Sequence, residues 1–132
     1  MSSIDRQNLE LAIQKSWCKE TSANSGWSEE NPSLGQCAVT ACVVQDYLGG
    51  DILNSVVTLP DGKTDSHYFN TIDGQIEDLT RQQFPAGSQF TEGQPKTKGL
   101  ATTRDYCLSY EETRKRYEVL KEKVSDYLAQ AS

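Results

Sequence analysis

GQCAVTACVVQDYL, Gly35 to Leu48, is the stretch on which the fold turns. Pro32 and Ser33 stand before it as start signals and Gly49-Gly50 after it as a stop signal, so the spacing predicts one helix over 35–48. Its apolar positions, Ala38, Val39, Ala41, Cys42, Val43, Val44, Tyr47 and Leu48, run nearly all the way round the helix. A helix apolar on every side is buried on most sides, which makes this the expected central helix of the protein.

The rest of the chain supplies what such a helix packs against. Asp51 to Leu59 holds Ile52, Leu53, Val56 and Val57 and reads as a strand, closed by the turn residues Pro60-Asp61-Gly62-Lys63. A second strand is expected from about Ser66 to Ile72. Asp73-Gly74 is a strong two-residue hairpin signal, and Gln75 to Thr80 then makes a third strand of an antiparallel meander. On the near side, Asp5 to about Cys18 places Leu9, Ala12, Ile13 and Trp17 on one helical face with Asp5 as N-cap. On the far side, Tyr110, Thr113, Tyr117, Leu120, Val124 and Leu128 form one stripe of a terminal helix, with Ser109 and Glu112 fitting a capping box. Residues 81–107 carry three glycines and two prolines, so only a short element near Thr102 to Leu108 is expected there, within a loop that could serve as a lid. The expected class is α+β: a central buried helix on a small antiparallel sheet, with N- and C-terminal helices, in one domain over 1–132.

Composition narrows the function. Thirteen basic residues against nineteen acidic ones leave a formal charge of −6, and no basic face with interleaved aromatics stands out, which disfavours nucleic acid as a partner. The segment 111–123 is itself slightly basic, so the acidity lies in the remainder of the chain. No apolar run is long enough to cross a bilayer, and the start MSSIDRQNLEL lacks the features of an export signal, so a cytoplasmic protein without a membrane partner is expected. In that compartment Cys18, Cys37, Cys42 and Cys107 are expected as free thiols. No two cysteines form a C-x-x-C pair and His67 is the sole histidine, so no metal is expected.

Three residues then suggest chemistry. Cys37 falls in the first turn of the central helix, where unpaired N–H groups and the positive end of the helix dipole favour a thiolate and could receive an oxyanion. Gln36 beside it offers a side-chain amide as a further donor. The competing reading of Cys37 is a small buried hydrophobe, the reading that suits Cys42 better. His67 is the only imidazole available as a base. If Asp73-Gly74 makes a two-residue turn, paired residue numbers sum to 147; His67 then faces Thr80, Phe69 faces Asp78, and His67 and Asp78 are diagonal neighbours on one face. A one-residue slip would put Glu77 there instead. A helix-start cysteine, a strand histidine and an aspartate across a hairpin together suggest an acyl-transfer triad of Cys37, His67 and Asp78. Trp17 and Trp27 read as core residues, with Trp27 also a candidate to line a substrate cleft.

These residues also carry a resemblance. Trp17, Thr21-Ser22, Trp27, NPSLGQCAVTACVVQDYLGG, HYFN, DGQIEDLTRQQF and SYEETRKRYEVLK together resemble the YunG-like family of small bacterial proteins. More distantly, the order Cys37, His67, Asp78, with Asp78-Leu79-Thr80 after the histidine strand, is similar to the papain-like and transglutaminase-like core. That resemblance implies a Cys-His-Asp site; the thiol-dependent acyl transfer such a site would perform acts on an amide or ester of a small molecule or peptide and needs no cofactor. The chain differs from larger members by its short hairpin and the lack of a separate substrate domain. A binding or regulatory module that keeps the scaffold without turnover is the alternative, and an adaptor using the terminal helix is a third. Oligomeric state is not legible.

Overall fold

The computed structural model describes residues 5–131; the one-domain expectation over 1–132 and part of the MSSIDRQNLEL reading concern termini outside them. Helix α1, Arg6–Ser16, starts as expected: the Asp5 side chain accepts the Gln7 N–H at 2.9 Å, and Leu9, Ala12 and Ile13 are buried. Helix α2, Cys37–Leu48, begins two residues later than its sequence pattern suggests, with Gln36 at the N-cap position and Gly49 closing it at φ 75°. Its Val39–Val44 segment is buried throughout, as an all-round apolar pattern requires.

Strands β1 (Asp51–Thr58), β2 (Thr64–Ile72) and β3 (Gln75–Glu77) form the meander. A fourth strand, β4 (Gln89–Phe90), pairs with the free edge of β1, giving an antiparallel sheet in the order β3-β2-β1-β4. The hairpin register is the one the two-residue turn dictates: Ile72 opposite Gln75, Thr71 opposite Ile76, Asn70 opposite Glu77. Asp73 and Gly74 both take positive φ, 53° and 78°, the backbone that matches the strand twist in such a turn. The third strand stops at Glu77, short of the expected Thr80, because the chain turns into a 3₁₀ segment at Arg81–Gln83.

The short element expected near Thr102 to Leu108 forms, but the rest of 81–107 does not stand free of the sheet. Asn54 and Gln94 exchange backbone hydrogen bonds at 2.8 and 2.9 Å, and the Ser55 hydroxyl donates to the Thr91 carbonyl at 2.7 Å, pinning the segment along β1. The Ser109–Glu112 capping box does not form either. Helix α3, Thr103–Leu108, ends on Ser109, whose hydroxyl donates back to the Tyr106 carbonyl at 2.6 Å, and helix α4 starts only at Glu111 and runs to Ala131. Tyr110 is therefore exposed, and the buried stripe of α4 is Tyr117, Leu120 and Val124.

Helix α2 lies between α4 and the sheet. The buried Asn70 side chain of β2 donates to the Ala41 carbonyl of α2 at 2.9 Å, and the Trp17 indole donates to the Thr40 hydroxyl at 2.9 Å, so the apolar layer is registered by two internal polar ties. Arg104 of α3 adds a third tie. It donates to the Cys42 carbonyl and to the Tyr117 hydroxyl and pairs with Asp46 at 2.8 Å, joining α2, α3 and α4. These contacts hold the N-terminus of α2 at one fixed place against β2.

Candidate active site

At that place stands Cys37, half-buried at the first position of α2. No side chain caps the helix, so the first-turn N–H groups lack a side-chain acceptor. The preceding loop is shaped by Gly35 at φ 72°: a Cβ there would stand 2.4 Å from the Ser22 hydroxyl and 2.7 Å from the Asn24 amide nitrogen. Its N–H donates to Gln83 Oε1 at 3.1 Å, and Gln83 Nε2 donates to the Thr80 carbonyl at 3.0 Å. Gln83 thereby links the backbone before Cys37 to the segment just after Asp78.

His67 is the fourth residue of β2 and its side chain is completely buried. Nε2 lies 2.7 Å from Asp78 Oδ2; the other carboxylate oxygen accepts the Thr80 N–H at 3.3 Å, and Arg81 stands at 4.0 Å. The diagonal contact inferred from the register is thus formed, although Asp78 sits one residue beyond the end of β3. Phe69, Phe84 and Phe90 surround the imidazole, with ring centroids at 5.9, 5.0 and 5.9 Å. The Arg81 guanidinium covers Phe90 at 3.8 Å from the ring centroid, closing this aromatic enclosure from outside.

The remaining ring nitrogen, Nδ1, is buried without a partner of hydrogen-bond geometry. Burial is the largest single influence on the ring and favours its neutral form. The hydrogen bond to Asp78, the nearby Cys37 thiol and the charges of both outweigh it and raise the imidazole from 6.5 to about 9. By contrast, Cys42 and Cys107 are buried thiols pushed up to about 12 by desolvation, which keeps them protonated and inert at neutral pH.

Cys37 opens onto a cleft of about 410 Å³ that also contains Gly35, Ser66, Tyr68, Lys96 and Tyr106. Neither Gln36 nor Trp27 lines it. Gln36 is wholly buried and its amide donates to the Cys18 carbonyl at 3.1 Å, so its side chain ties the loop to α1's end instead of presenting a donor beside Cys37. The Trp27 indole donates to the Pro32 carbonyl at 2.9 Å and stabilises the loop in which it lies. The residues missed by sequence reasoning come from distant segments: Phe84 and Phe90 around His67, Lys96, and Tyr106 with Tyr110 on the cleft wall. Among the described residues, no group of three or more His, Cys, Asp or Glu is placed to hold a metal ion.

Fold and site together define an α+β protein in which a buried histidine–carboxylate pair lies beside a cysteine at the edge of a cleft. The sequence model of the YunG protein family matches residues 5–129, and the chain belongs to that family. It is 37% identical over 84 residues to the "Uncharacterized protein YunG" of Bacillus subtilis (strain 168), a match covering 64% of this chain and 67% of that protein. No solved structure matches the chain. Among the described residues, no helix is long and apolar enough to cross a membrane.

Proposed function

We propose that the protein is a thiol-dependent acyl-transfer enzyme of the papain-like or transglutaminase-like kind, a peptidase, amidase, deamidase or transglutaminase acting on an amide or ester. One observation carries the reading: the sole histidine uses Nε2 on Asp78 at 2.7 Å and leaves Nδ1 without a partner of full hydrogen-bond geometry, while the cleft-lining Cys37 thiol is close enough to act on the ring. Asp78 would hold the tautomer and balance the imidazolium. The Cys37 sulfur attacks the carbonyl carbon, its proton having moved to Nδ1. The oxygen gains the negative charge and is received by the N–H groups of the α2 first turn. As the C–N or C–O bond breaks, Nδ1 returns the proton to the leaving amine or alkoxide, and water or a second amine then releases the thioester.

Alkylation of Cys37 by iodoacetamide tests this. The expected result is a rate at neutral pH well above that of a free thiol, reduced by His67→Ala; a rate equal to a free thiol and indifferent to His67→Ala overturns it.

The placement of Gln36 favours a second reading, a binding module without turnover, because the side-chain oxyanion donor expected beside Cys37 is turned into the interior. Ligand binding that survives Cys37→Ser, with no hydrolysis across amides and esters, would select it.

A further inference from the structure

The cleft carries one side chain of each charge, Lys96 and Asp65, on its lining. They form no ion pair with each other or with another described residue. Opposite charges sharing so small a space without pairing leave both valences open to a ligand.

Each is held in position by its surroundings. The Lys96 ammonium lies over the Tyr106 ring, 5.6 Å from its centroid, and the Lys96 backbone N–H donates to the Thr103 hydroxyl at 3.1 Å. Beside it, the Tyr106 and Tyr110 hydroxyls are 3.1 Å apart. Each phenol has one proton, so whichever donates to the other, one O–H remains for a ligand acceptor. Asp65, in β2 and two residues before His67, has Oδ1 fixed by the Ser66 N–H at 2.8 Å, which leaves Oδ2 open. An ammonium and a phenol suit a carboxylate; a lone carboxylate suits an ammonium.

We infer, resting on the acyl-transfer reading for the role of Cys37, that this cleft takes short zwitterionic peptides, with the free α-ammonium at Asp65 and the terminal carboxylate at Lys96 and the Tyr106–Tyr110 pair. A cavity of about 410 Å³ accommodates a ligand of dipeptide size. The interior of a protein chain has no terminal charges and meets such groups only through its own acidic and basic side chains, whereas a short free peptide carries both charges on the backbone that holds the amide. The substrate class is therefore the free short peptide, with the scissile amide between its two charged ends and next to Cys37.

Binding can be measured without turnover by titrating Cys37→Ser protein with alanyl-alanine, its N-acetyl form, its C-terminal amide and the doubly blocked peptide, following amide NMR shifts. Each blocked end should weaken binding about three- to fivefold, the range expected for partly exposed charge pairs. In Lys96→Gln protein the penalty for amidation should shrink, the tyrosine O–H still contributing, while that for acetylation remains; in Asp65→Asn protein the penalty for acetylation should vanish while that for amidation remains. Equal affinity for the four peptides, no binding of any of them, or an unchanged order in both variants overturns the proposal. Slow alkylation of Cys37 in the unmodified protein, indifferent to His67→Ala, would instead remove the acyl-transfer reading and leave the binding result standing.

Discussion

The imidazole of His67 and the carboxylate of Asp78 meet at 2.7 Å with their side chains 0% and 7% exposed. Eleven residues apart in sequence, they are joined across the Asp73-Gly74 turn, and little water reaches the contact. Removing the carboxylate should therefore alter the ring directly. In Asp78→Asn protein the histidine should titrate well below about 9, since both the hydrogen bond and the charge of Asp78 contribute to its elevation. Because His67 is the only histidine, a single imidazole resonance followed by NMR against pH decides the matter. Alkylation of Cys37 should slow in the same variant.

Stability should depend on pH through the same group. The folded-state value, about 9, lies above the ordinary 6.5, so protonated His67 favours the folded state. That contribution is complete below about pH 6.5 and is lost as pH rises through about 9. Urea unfolding at a series of pH values should show a loss of about 3 kcal/mol across this window. In His67→Gln protein this decline should be largely absent.

Gly35→Ala should damage the site more than the fold. At φ 72° an alanine is strained by about 1–2 kcal/mol, and its Cβ would press on the backbone nitrogen of Asn24. Both residues line the cleft beside Cys37, so the rate of Cys37 alkylation should change while the circular dichroism of the helices is retained.

Gln83→Ala removes the link between Gly35 and Thr80. Two hydrogen bonds of ordinary strength predict a loss of about 1–3 kcal/mol in unfolding free energy. The His67 titration should persist, because Asp78 keeps its own contact, but Cys37 should lose part of its reactivity as the loop before it loosens. Denaturant melts and alkylation rates measured on the same sample separate the two effects.

Leu120→Ala tests the core without touching the site. Leu120 is completely buried on the face of α4 directed inward, and truncation should cost about 2–5 kcal/mol, seen as a lower urea midpoint at unchanged slope.

Local pattern by itself determined the central helix, the meander, the turn that sets its register, and with that register the meeting of His67 and Asp78. Each follows from contacts within one element or across one tight turn, where periodicity and turn chemistry leave few arrangements. The end of β3 at Glu77, the pairing of β4 with β1 and the failure of the Ser109 cap depended instead on longer-range competition: a 3₁₀ turn after Thr80, the pinning of 89–94 along β1, and the use of Ser109 to close α3. Gln36 shows the difference at one residue. Its sequence position beside Cys37 was correct, yet the direction of its side chain was decided by the Cys18 carbonyl, eighteen residues earlier. The aromatic enclosure of His67 and the unpaired Lys96 and Asp65 are likewise products of tertiary packing, since they bring together segments whose spacing carries no period and whose approach is settled by burial of the whole chain.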